Sequence, residues 1–192
     1  MERATVYRRA LAPIMTFIGA LGIVTALAGW LLKLDAPRVF MGYWTCVAVA
    51  AMGGSLLLVR RQALKAAEPF WSPPTRRVTE AVCPPLGGGL IVTAASFFHA
   101  GGSTMGEMLW LPLAWVILYG CALHAAGFFM PRGIKIFGWF FIVSGLSLFG
   151  LDLPGPRPRP ECAYGIMGLC FGLFHLAYGV YLYFTEQRKT GV

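Results

Sequence analysis

Between Trp110 and Lys135 the chain reads WLPLAWVILYGCALHAAGFFMPRGIK. It carries no charge before Arg132, and a helix of about 20 apolar residues crosses a hydrocarbon core of roughly 30 Å. No other feature constrains the fold as strongly. The same character recurs along the chain. Hydrophobic residues make up 57% and charged residues 12%, where soluble domains carry about a quarter charged residues. The deficit is spread over the whole length. The expectation is therefore an all-α polytopic transmembrane bundle of six spans, near residues 10–32, 39–59, 82–100, 108–130, 134–151 and 163–184. The stretches between them are too short for a soluble domain. The first apolar run continues to Leu34, longer than a signal-peptide core, so it reads as a retained span.

The third span is expected to be short and interrupted. It opens at Cys83-Pro84-Pro85 and passes Gly87-Gly88-Gly89. Proline removes a backbone donor, and glycine weakens a helix. Such a break can expose backbone groups that line a site, or can simply let helices approach.

Charge sets the expected orientation. Twelve of the 16 Lys and Arg fall in the N-terminus, the second and fourth loops and the C-terminus. Basic residues mark the cytoplasmic side, so both termini are placed there. The net charge of +8 then belongs to a membrane surface, and nucleic acid is not an expected partner. Arg60, Arg61, Lys65, Arg76 and Arg77, with Phe70 and Trp71 among them, read as a segment on anionic headgroups or against a partner protein. The loop economy suggests the inner membrane of a bacterium.

Small residues recur at helical spacing: Gly19, Gly22, Ala26 and Gly29 in the first span, Cys46, Ala50 and Gly53 or Gly54 in the second. Gly120, His124 and Gly127 follow in the fourth, and Gly168, Gly172, His175 and Gly179 in the sixth. Small residues let helices pack in lipid. These stripes predict a tight bundle, with both histidines on packed faces. The five cysteines (Cys46, Cys83, Cys121, Cys162, Cys170) lie in or beside apolar runs and read as buried thiols, not as a disulfide framework.

His124, His175 and Cys121 form the candidate intramembrane polar site. Two imidazoles at similar depth can ligate haem or a metal, relay protons, or only hydrogen-bond the bundle. His99 and Glu107 flank the third outer loop as a candidate mouth. No motif names an enzyme or a cofactor. The favoured reading is a non-enzymatic membrane subunit or accessory protein, with no cofactor. The alternatives are a small transporter or channel for a neutral solute with His124 and His175 near its path, and a haem- or metal-binding redox protein using those two residues.

Overall fold

The computed structural model describes residues 5–67, 69–99, 106–150 and 160–190. Among these every regular element is helical. The helices are α1 (Thr5–Leu31), α2 (Pro37–Lys65), α3 (Pro73–Phe97), α4 (Glu107–Ala126) and α5 (Arg132–Gly150). A last rod follows, made of α6 (Pro160–Met167), a π-helical stretch (Gly168–Phe174) and α7 (His175–Thr190). Six segments are long and apolar enough to cross a membrane. The shortest two, Met108–Ala126 and Arg132–Gly150, have 19 residues each. At 1.5 Å per residue that is about 29 Å, close to the hydrocarbon thickness. This is the architecture of a multi-pass membrane protein.

Two tight pairs form the frame. In the first, α1 runs antiparallel to the last rod. A Cβ on Gly22 would come within 2.6 Å of the Phe171 carbonyl, and one on Gly172 within 3.0 Å of the Ile23 amide. Gly168 faces Ala26, Gly179 faces Thr16, and Gly19 lies on the Leu176 backbone. The small-residue stripes expected in the first and sixth spans therefore meet each other. In the second pair, α4 and α5 form an antiparallel hairpin. A Cβ on Gly120 would lie 2.8 Å from the Ile142 amide, and one on Gly127 would lie 2.7 Å from Lys135 Cα. Lipid offers helices little hydrophobic drive to associate, so backbone-close packing of this kind carries the assembly.

Polar ties cross between the elements at several points. Tyr43 donates to the Thr25 carbonyl at 2.7 Å, joining α2 to α1. The Trp115 indole donates to Thr93 Oγ1 at 2.9 Å, joining α4 to α3, while Thr93 itself donates to the Gly89 carbonyl. Tyr164 donates to the Leu34 carbonyl at 2.8 Å, joining α6 to the turn after α1. Tyr119 and His175 supply another. Thr16, Thr45 and Ser55 return their hydroxyls to the carbonyl four residues back, which satisfies them without water.

Two expectations need adjustment. α3 begins at Pro73 rather than near 82, because Pro73 and Pro74 occupy first-turn positions where a missing N–H costs nothing. The helix then continues through Pro84, Pro85 and the three glycines to Phe97. Those glycines are not sites of close approach: a Cβ on Gly87 would meet nothing within 4 Å, and on Gly88 only Leu118 at 3.9 Å. In α2, Cys46 and Ala50 are exposed and Gly53 is open, while Gly54 is covered by the Phe17 ring. The second stripe is thus largely unpartnered within the described chain. Trp44 turns inward and packs on Phe40 and Tyr43.

The α1–α2 turn closes with a left-handed residue. Leu34 N–H bonds the Gly29 carbonyl and Lys33 N–H bonds the Trp30 carbonyl, with Lys33 at φ 51°. This is a Schellman cap whose left-handed position glycine normally fills. An L side chain there costs roughly 1–2 kcal/mol. Lys33→Gly is accordingly expected to raise stability by about 1 kcal/mol, read as the midpoint of reversible unfolding in mixed micelles.

Candidate functional site

The polar centre of the bundle is His175, which is fully buried. It sits ten residues before Thr185, the end of its span, about 15 Å along the helix. Phe137 and Phe141 of α5, Phe171 of the π-helical stretch and Tyr119 of α4 surround its ring, with centroids 5.2–6.1 Å away. Both ring nitrogens are engaged. Nδ1 lies 3.1 Å from the Cys170 carbonyl, and Nε2 lies 2.8 Å from the Tyr119 hydroxyl. A carbonyl can only accept, so Nδ1 carries the proton. With the ring neutral, Nε2 accepts from Tyr119. The tautomer is fixed by its two partners.

The π-helical stretch makes this geometry. Cys170 is five residues before His175, at the wider spacing of a π turn. Its carbonyl lies within reach of the imidazole. The sixth-span stripe thereby holds two roles: its glycines press on α1, and His175 turns toward α4 and α5.

His124 belongs to different surroundings. It lies two residues before the end of α4, nearer the boundary than the span expected to end near 130 implied. Its backbone packs on Gly138, where a Cβ would come within 2.5 Å of the His124 amide. Its ring contacts Phe128 and Trp139, at 5.4 and 5.2 Å. Nδ1 is buried without a hydrogen-bond partner among the described residues. Lys135 stands close by, its ammonium 3.9 Å from the centre of the Phe128 ring.

The two histidines share no ring neighbour. Helical phase explains why. Tyr119, which touches His175, is five residues from His124, about 140° around α4. On α5, Phe137 and Phe141 face His175, and Trp139 between them points about 160° away. The helices that contact both histidines present opposite sides to them. Cys121 is half-buried, on the His124 side of α4 and not beside His175. The structure therefore does not assemble His124, His175 and Cys121 into one site. Two opposed imidazoles for haem are not the arrangement within this chain, since His175 spends both nitrogens on Tyr119 and Cys170. Among the described residues no three His, Cys, Asp or Glu side chains gather.

His99 is exposed one residue beyond the cap of α3. Glu107 starts α4, and its side chain lies outside the described residues, as does the loop 100–105. Arg60, Arg61, Lys65, Arg76 and Arg77 are all exposed around the α2–α3 connection. Arg76 Nε pairs with Glu80 at 2.7 Å, one helical turn on, an exposed pair of small energetic weight. Trp71 is also exposed there. The residue that sequence reasoning missed is Tyr119. Its spacing from His124 carries no motif, and only its opposite phase on α4 hints that it faces another helix.

No protein family, no curated protein and no solved structure matches this chain. The class that fold and site define is a six-helix, multi-pass membrane protein with a histidine–tyrosine pair in its core.

Proposed function

We propose that this protein is a non-enzymatic membrane subunit, and that α2 and α3 are where it receives a partner helix in the bilayer. One observation carries the reading. None of the apolar window of α3 and 6% of that of α2 is buried within the chain, against 44% for α4. The two helices pack outward from the frame, α2 on α1 and α3 on α4, and scarcely on each other. The uncovered face of α2 holds Cys46, Ala50 and Gly53. Such residues suit close helix approach and have little to gain from lipid chains. Both termini and the Arg60–Arg77 connection belong on the cytoplasmic side of a bacterial inner membrane. Those exposed basic residues meet anionic headgroups or the soluble part of the same partner.

A solute path draws less support, because an aromatic shell encloses His175. A bis-imidazole redox centre draws less still, because the two rings face apart.

The test is site-specific photocrosslinking in native membranes. Probes replacing Ala50 or Gly53 are expected to form a discrete protein adduct. A probe at Val143, exposed on α5, is expected to label lipid. Lipid labelling alone from all three positions would overturn the proposal.

A further inference from the structure

At the end of the bundle where α1 turns into α2, a cleft of about 440 Å³ opens between that turn and the start of α6. Trp30, Leu31, Lys33, Asp35 and Glu161 line it. We propose that it binds the headgroup of a zwitterionic phospholipid, an ammonium carried a few bonds from a phosphate diester.

The lining is graded as such a ligand is graded. Trp30 and Leu31 end the apolar span Ala10–Leu31 and remain half or more exposed, at 51% and 70%. They stand where hydrocarbon gives way to headgroups, the depth indole rings favour. Directly beyond them come one ammonium and two carboxylates. None of the three takes part in an ion pair or side-chain hydrogen bond among the described residues. An ammonium headgroup answers Asp35 and Glu161, and its phosphate answers Lys33. An anionic headgroup without an amine would satisfy Lys33 alone and leave two carboxylates facing it. The volume lies within the roughly 300–1,000 Å³ of small-molecule sites.

The walls are fixed. Tyr164 holds the Leu34 carbonyl at 2.8 Å, tying the turn to α6, and Gly29 lies under the Tyr164 ring. Lys33 itself occupies the left-handed cap position, where glycine would be easier. Strain held at a position that lines a cleft is the pattern of a residue kept for what its side chain does. This site lies at the other end of α2 from the basic connection and does not depend on the partner proposed above.

The full chain is reconstituted in nanodiscs of equal phosphatidylethanolamine and phosphatidylglycerol, and retained lipid is counted by native mass spectrometry. Phosphatidylethanolamine is expected to be retained at least about fivefold over phosphatidylglycerol, a difference of roughly 1 kcal/mol. The preference should fall to parity in the Asp35→Asn, Glu161→Gln double variant. Lys33→Gly separates folding from binding: its unfolding midpoint should rise while total lipid retention falls. Equal retention of both lipids by the native chain, or an unchanged preference in the double variant, would overturn the proposal. So would soluble phosphoethanolamine binding as tightly as the lipid, since the site would then read a free metabolite.

Discussion

Leucine in place of Gly138 is expected to stop α4 and α5 from docking, at a cost of at least about 3 kcal/mol. The reason is what lies opposite. A Cβ at 138 would come within 2.5 Å of the His124 amide nitrogen and 2.8 Å of the Gly120 carbonyl. Both are backbone atoms of a helix and cannot rotate away, as the tip of a flexible side chain could. Overpacking usually costs about 1–3 kcal/mol because neighbours yield; here the only relief is separation of the hairpin. Gly87→Ala is the control. Its Cβ enters open space, and alanine is the better helix former by about 1 kcal/mol. Stability should hold or rise. Denaturant titration of the purified chain in bicelles measures both. If the two substitutions shift the midpoint alike, the close crossing of α4 and α5 is not what holds them.

His175→Ala should rank next, at about 3–5 kcal/mol, the usual loss for deleting a fully buried ring. The change opens a cavity among Phe137, Phe141 and Phe171 and strands the Tyr119 hydroxyl. Tyr119→Phe isolates the polar part. It removes the 2.8 Å bond and keeps the ring, so its cost should be about 0.6–1.7 kcal/mol, the range for hydrogen bonds between helices in membranes. A double-mutant cycle of the two residues should return coupling within that range. Equal losses for His175→Ala and Tyr119→Phe would mean that the shell collapses around the gap and the ring adds little by packing.

Much of the architecture was legible because lipid imposes simple demands. Length, absence of charge and the basic stops located six spans, and the alternation of small residues named the surfaces that meet. Gly19, Gly22 and Ala26 do face the stretch containing Gly168 and Gly172. What periodicity cannot supply is the partner. The stripe on α2 looks like the others, yet Cys46 and Ala50 are exposed and Gly53 meets nothing. The start of α3 was hidden because Pro73-Pro74 reads equally well as a loop and as a first helical turn. The histidines misled for a geometric reason. Depth along a helix can be counted from sequence, but which way a ring points on a neighbouring helix cannot. Counted along the sequence, His124 and His175 have similar depths; in the structure their rings diverge in azimuth. Tyr119 went unseen because an aromatic residue in an aromatic-rich span carries no mark of its own.

The π-helical stretch from Gly168 to Phe174 has a bearing on how this chain tolerates length change. A wider turn is what remains when one amino acid is added to a regular helix and the coil absorbs it. A chain shortened by one position there would relax to the ordinary pitch. Because the widened turn has already taken up the extra residue, the 16 residues of α7 would keep nearly the same azimuth. A residue gained there, with no slack left to take it up, would instead turn everything after it by about 100°. The imidazole would then leave its phenolic partner. The stretch therefore makes the second half of the rod tolerant of losing one codon and sensitive to gaining one.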